Sequence, residues 1–292
     1  RRSKVDFKVK SIRKTQKAEA DNSDKLKFCI KCAREKGASS WVTARPLESH
    51  STILHKGDFR DAIYLRYGWT PHNLPDKCKC GKSFSVTHAM QCMLGGFRTL
   101  LHNEVTHVFY AAMKEAEYKD VALEPALQPL TGESLKYKSA NTEDDSCSDI
   151  RVLGFWGRMR RAFFDTTAVS PYARSYSNLS MEALYRFAEK RKNREYFERI
   201  LHVEHGYFTP LVFSTTGGMG PQASMVVKRL TERIAEKQNL PHSVIAGWLR
   251  CRISFALLRA SLVCLRGSRP NKKKVIEESQ PDLAVSEARI EF

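Results

Sequence analysis

The apolar residues of this chain recur at two periods along its length, one helical and one of two residues. The longest helical stretch is Phe97 to Tyr118. At about 100° per residue, Phe97, Leu100, Leu101, Val108, Ala111 and Ala112 fall within about 80° of Glu104, which puts that carboxylate on the predicted buried face. A buried carboxylate is costly without a partner; a divalent cation would serve, and a neighbouring arginine is the alternative. After this helix the period shortens to two. Val121 to Leu127, Cys147 to Phe155 and Arg161 to Val169 read as strands, and in the third Phe163, Asp165, Thr167 and Val169 share a face. Asp149 and Arg151 share a face in the second.

From Ser180, a capping residue, the pattern is helical to about His205, and Phe208 to Ser214 is a last strand stopped by Gly217-Gly218. Helices follow at about Gln222 to Gln238 and Ser243 to Leu265. Upstream, Asp24 is placed to cap a short helix carrying Leu26, Cys29, Ile30 and Ala33, ended by Gly37. Ser40 to Leu47 reads as a short strand closed by Pro46, and Asp58 as the cap of a helix from Phe59 to Tyr67 that stops at Gly68. Thr131 to Asp145 is polar and aperiodic, an expected insertion loop. The order helix, three strands, helix, strand predicts an α/β (α+β) fold, with a small mixed four-stranded sheet flanked by helices. Its expected divisions are a basic arm (1–24), a helical segment (25–77), a metal knuckle (78–96), a core (97–220), C-terminal helices (221–266) and a tail (267–292).

Charge alters the picture. The 292 residues carry a formal net charge of +17, which favours a polyanionic partner because Lys and Arg release counterions from phosphates. No acidic residue lies between Lys237 and Ile276, and Arg252, Arg259 and Arg266 recur every seven residues, one stripe along a helix. That stripe suits a phosphate backbone, or acids of the same molecule. A second basic run, Lys190, Arg191, Lys192, Arg194 and Arg199, is interleaved with Glu189, Glu195 and Glu198, so a solvated face competes with nucleic-acid binding there. No apolar run reaches the roughly 20 residues needed to span a bilayer, since Arg259 interrupts Ile253 to Leu265. No secretory signal is expected, and the opening Arg1-Arg2 without Met predicts a fragment of a longer frame, with an upstream domain of the same polyprotein as a partner.

Cysteine usage supplies the first chemistry. Three of the eight cysteines surround one histidine as Cys78-Lys-Cys80-Gly81, His88 and Cys92, a Cys3His set of the kind that holds structural zinc, in a reducing compartment. The one-residue gap between Cys78 and Cys80 is shorter than usual, and Gly81 permits the tight turn that aims both sulfurs at one ion. Cys29 and Cys32 form a second CxxC without further ligands, which favours helix packing over metal.

This knuckle, the helix bearing His102-Asn103-Glu104 and the acids Asp149 and Asp165 resemble the PD-(D/E)XK restriction-like nuclease fold. More specifically, the arrangement is similar to the restriction-like endonuclease domain of non-LTR retrotransposons. The segments Gly37-Ala-Ser-Ser-Trp41, Cys78-x-Cys80-Gly81-Lys82-x-Phe84-Ser85, Gly154-Phe-Trp-Gly157 and Leu211 to Gly220 are similar to uncharacterised mobile-element-associated proteins of animal genomes. The resemblance implies magnesium held by Glu104, Asp149 and Asp165, and hydrolysis of DNA phosphodiesters in the nucleus, with RNA as another polyanion to consider. It departs at Thr167, where such nucleases carry a basic residue, so Lys190 or Lys192 on the next helix is expected to supply the cation. It departs again at Leu101, where relatives tend to show Arg before His-Asn. The alternatives are a catalytically inactive DNA-binding or targeting module with a structural zinc site, whose contacts would include Arg191, Arg194, Arg252, Arg259 and Arg266, and a zinc-stabilised interaction protein.

Overall fold

A computed structural model describes residues 24–129, 146–176 and 178–267. The basic arm, the insertion expected at 131–145 and the tail after 267 lie outside those residues. Helix α1 (Asp24–Ala33) is followed by α2 (Ser40–Thr43), α3 (Lys56–Tyr67), α4 (Val86–Ala89) and α5 (Phe97–Glu115). Then come β1 (Lys119–Leu123), β2 (Ile150–Leu153), β3 (Arg161–Val169), α6 (Met181–His202), β4 (Tyr207–Ser214), α7 (Pro221–Gln238) and α8 (His242–Arg266). The four strands form one mixed sheet in the order β1-β2-β3-β4. β1 and β3 are each antiparallel to β2, and β3 and β4 are parallel from Ala162↔Tyr207 to Val169↔Ser214. A parallel pair needs a crossover, and α6 supplies it.

Both sheet faces are covered, which explains the nearly continuous apolar reading of β3 and β4. Phe164 of β3 and Leu211 and Phe213 of β4 enter the main core, with Val105, Phe109 and Met113 of α5, Val226 and Leu230 of α7, and Leu249 and Ile253 of α8. The other face buries Phe163, Phe208 and Val212 against α6, through Tyr196, Ile200, Leu184 and Ala188. Ser180 caps α6, its hydroxyl accepting from Ala183 N–H at 3.2 Å. The alternation along β3 therefore sends Asp165 toward α6, on the side of Phe163 and Val169.

One expected strand is a helix. Ser40–Thr43 makes a single helical turn because the Trp41 ring is drawn into an apolar site with Ala62, Phe255, Leu258 and Leu262, while the Trp41 backbone N–H donates to Ser254 Oγ at 3.3 Å. Tertiary burial outweighs the strand preference of Val42 and Thr43. Gly217 fastens this region to the end of β4. Its φ is +97°, and a Cβ there would stand 2.9 Å from Ala38 Cα, so the position accepts only glycine. Among the described residues no helix is long and apolar enough to cross a membrane.

Candidate metal knuckle and acidic centre

The knuckle is built by a short hairpin and one turn of helix. Lys77 and Ser83 form a bridge, Cys78 N–H donates to Lys82 O at 2.9 Å, and Gly81, at φ +85°, turns the chain so that its N–H reaches Cys78 O. Ser85 then caps α4, which carries His88, and Cys92 N–H donates to His88 O at 2.8 Å. These local bonds bring Cys78, Cys80, His88 and Cys92 together with their donor atoms all within 4.8 Å of one another. Cys78 Sγ is 3.7 Å from Cys92 Sγ, and Cys80 Sγ is 3.3 Å from His88 Nε2. Zinc in tetrahedral geometry, with bonds of about 2.3 Å to sulfur and about 2.0 Å to nitrogen, separates its ligands by about 3.5 to 3.8 Å. The four donors can thus hold a metal such as zinc with little movement. Lys82 N–H, donating to Cys80, lowers that thiol from its ordinary value, the direction a thiolate ligand needs.

The second cluster sits where β2 begins. The antiparallel ladder begins at Ile150↔Phe164, and Asp149 lies just before it, next to the β3 segment that carries Asp165. Asp149 N–H donates to Phe164 O at 3.1 Å, and Thr166 N–H donates in turn to Asp149 Oδ2. From α5, His102 Nε2 lies 3.2 Å from Asp149 Oδ1. From α6, Lys192 Nζ lies 3.2 Å from Asp165 Oδ1 and 3.1 Å from Oδ2, and 3.3 Å from Glu195. Thr167 Oγ1 donates to Asp165 Oδ2 at 3.4 Å.

Two neighbouring carboxylates, one of them buried, carry an electrostatic cost. Burial and then the Asp149 charge push Asp165 up to about 7, although Lys192 and His102 pull the other way. Burial depresses the Lys192 ammonium, but Asp165 and Glu195 outweigh it and the group ends above its ordinary value. His102 behaves similarly: desolvation lowers it, and the bond to Asp149 raises it further. Tyr196, beside Lys192, is raised by burial and by Asp165.

Of the residues expected at this centre, Asp149, Asp165, Thr167 and Lys192 converge, and Glu104 does not. Glu104 is half-buried and raised by desolvation, and the charges that offset it are His107 and Arg259. Helical geometry accounts for this. Residues two apart are separated by about 200°, so the helix that aims His102 at Asp149 turns Glu104 toward α8. Lys190 is exposed on α6, two residues from Lys192 and hence on another side. His102 is the residue the acid-based reading passed over, and its offset of two from Glu104 was the available signal.

The arginine stripe on α8 makes contacts within the molecule, the second of the two roles its spacing suits. Arg252 lies 3.5 Å from Glu115 and 4.6 Å from the Trp248 ring centre. Arg259 donates to Ser51 O and, at 3.2 Å, to Ile53 O. Arg266 donates to Asp61 Oδ2 at 2.6 Å, to His72 O at 2.8 Å and to Asn73 O at 3.1 Å. The seven-residue spacing thus clamps the segment from Ser51 to Asn73, and α5, onto α8. Arg191 and Arg194 are exposed.

Against known proteins, the chain matches no family model and no curated sequence.

Proposed function

We propose that this chain is a metal-dependent DNA endonuclease of the PD-(D/E)XK type, derived from a mobile element, with Asp149 and Asp165 as its metal-binding acids and Lys192 as its catalytic cation. The observation that carries the reading is the approach of Asp149 and Asp165 at the end of the β2–β3 ladder, with Lys192 of the crossover helix paired to Asp165. Two features support a divalent ion there. Asp165 is raised to about 7 by burial and by its neighbour, so its ionised form is held at a cost that a bound cation would offset. Its donors are carboxylate oxygens, which suits magnesium. When bound, magnesium would supply Lewis acidity to the phosphodiester and lower the pKa of the attacking water.

The protein's own groups do the remaining work. Thr166 N–H and His102 fix the Asp149 carboxylate from two sides, so it needs little reorganisation. Lys192, 16% exposed, is kept protonated by Asp165 and Glu195 and presents positive charge where a scissile phosphate would gain negative charge. This answers the departure at Thr167: the lysine comes from α6, and Thr167 braces Asp165 instead. The zinc-clipped knuckle precedes α5 and sets the position of His102 through Phe97 and Leu101, which pack with Ala89 and Met90.

Magnesium-dependent nicking of supercoiled plasmid tests the assignment. Asp149→Ala and Asp165→Ala are each expected to abolish it, and Lys192→Ala to reduce it at least a hundredfold, with Lys190→Ala near wild type. Nicking that survives both aspartate changes overturns the proposal. The non-catalytic DNA-binding reading would then stand, marked by salt-sensitive binding without cleavage.

A further inference from the structure

The acidic centre accounts for the chemistry, but not for two large aromatic rings left in solvent at the end of α3. Tyr67 is 40% exposed and Trp69 is 52% exposed. Their rings are stacked, with centroids 5.1 Å apart and planes 25° from parallel. Gly68, in the left-handed region at φ +67°, ends the helix and lets Trp69 fold back, its N–H donating to Tyr64 O at 2.9 Å. The edge of Trp69 meets Tyr64 at 5.7 Å, and Tyr64 Oη is 2.7 Å from His72 Nε2. Arg266 holds the His72 and Asn73 carbonyls. The two rings are therefore set in place by the α8 clamp and lose little freedom on binding.

We infer that the Tyr67–Trp69 stack is a base-stacking platform for single-stranded nucleic acid. This rests on the nucleic-acid reading of the chain and extends it to an unpaired segment beside the duplex to be cut. Charge complementarity selects this occupant over an apolar peptide. The Arg66 guanidinium stands 6.0 Å from the Tyr67 ring centre, and between Lys56 and Lys82 six Lys or Arg residues outnumber three Asp, of which Asp61 is engaged by Arg266 and Arg60. Every base offers a π-face, so stacking captures unpaired bases without reading sequence, and duplex bases are already stacked. The platform is mechanically tied to the acidic centre. Leu65 and Leu74, which flank it, pack in one cluster with Leu101, next to His102, and Ala168, next to Thr167.

Trp69 provides its own reporter. It is the one exposed tryptophan of the chain's four. Titrating the full chain, zinc-loaded and without magnesium, with oligo(dT) is expected to quench its fluorescence, and duplex of equal length to quench it much less. Trp69→Leu is expected to weaken oligo(dT) binding, followed by anisotropy, about tenfold. Trp69→Phe should stay within about threefold of wild type. The slope of log affinity against log salt should not change in either, because no charge is removed. Tyr67→Leu repeats the test at the second ring, and circular dichroism melts confirm that each variant is folded. Equal affinity for Trp69→Leu and wild type, equal quenching by duplex, or no quenching by oligo(dT) overturns the platform. Because no step uses magnesium or cleavage, these outcomes are separate from the fate of the nuclease reading: loss of nicking in Asp165→Ala says nothing about Trp69, and the reverse holds.

Discussion

Asp165→Asn offers a sharp test of the electrostatics, because it should raise stability while removing activity. In the metal-free protein Asp165 is buried, faces Asp149 and is pushed up to about 7. Its unfolded value is near 3.9. An acid raised on folding contributes stability that is fully present below the unfolded value and is lost as pH rises through the folded one. Between about pH 4 and pH 7 the metal-free protein should therefore lose about 1.4 kcal/mol per pH unit from this group, up to about 4 kcal/mol by pH 8. Asparagine keeps the shape and removes the charge, but it also takes from Lys192 one of its two partners, Glu195 remaining at 3.3 Å. The net gain at pH 8 should then be about 1 to 3 kcal/mol, or roughly 2 to 9 °C in Tm at this size.

The assay is thermal and urea unfolding from pH 5 to pH 8.5, in magnesium-free buffer without chelator so that any zinc stays in the knuckle. Wild type should lose stability as pH rises and recover it when millimolar magnesium is added at pH 8, by mass action on the folded state. The variant should show a flatter pH profile in the range of Asp165 and no response to magnesium. His102 also sits above its ordinary value, because Asp149 and, to a lesser degree, Asp165 outweigh its desolvation, so its contribution, present below about pH 6.5 and lost as pH rises further, is smaller in the variant and flattens that profile further. A variant less stable than wild type at pH 8 would refute the claim that Asp149 and burial outweigh Lys192 at this carboxylate.

Other outcomes follow from the same contacts. Arg266→Ala leaves Asp61, 4% exposed, with Arg60 at 3.5 Å in place of the guanidinium 2.6 Å away, and should cost about 2 to 3 kcal/mol in urea unfolding at pH 7, whereas Arg194→Ala should cost less than about 0.5 kcal/mol. Arg266 holds Asp61 below the usual carboxylate range, so that pair's contribution should persist to about pH 4 and be lost as pH falls further, seen as convergence of wild type and Asp61→Asn in acid melts. Arg194→Ala should instead lower the salt slope of DNA binding by about one while Arg252→Ala leaves it unchanged. In the knuckle, Cys92→Ala should abolish stoichiometric zinc release on thiol modification, read with a metallochromic dye, and lower Tm, because a closed structural site contributes its binding energy to folding.

The elements were legible where the sequence pattern has one cause. β3 runs from Arg161 to Val169 and β4 to Ser214, as their apolar residues imply, because both strands are covered on both faces, with Asp165, Thr166 and Thr167 the polar exceptions inside β3 and Thr209 inside β4. The Cys3His knuckle was legible for a similar reason, since its ligands lie within fifteen residues and the hairpin that joins them is local. Ser40–Leu47 was not, because its helical turn is imposed by α8, more than 200 residues away in the chain, through Trp41 and Ser254. Periodicity describes what one segment would bury and is silent about which partner arrives.

Glu104 and the α8 arginines show the same limit at the level of charge. A helical wheel places Glu104 among apolar neighbours, and it is indeed raised by burial, yet the charges that offset it are His107 of its own helix and Arg259 of α8. Arg259 in turn spends its donors on the carbonyls of Ser51 and Ile53. One arginine therefore answers both sequence expectations at once, supplying the cation that Glu104 called for and withdrawing itself from the phosphate stripe. Lys192 makes the complementary case. It was one of two basic residues weighed on α6, and what distinguishes it from Lys190 is the rotation of two residues that carries it under β3 to Asp165. A charge in sequence becomes a ligand, a clamp or a solvated tip according to an angle along its helix and to the element that angle meets, and here those angles leave two aspartates, one lysine and one histidine facing each other across the start of β2.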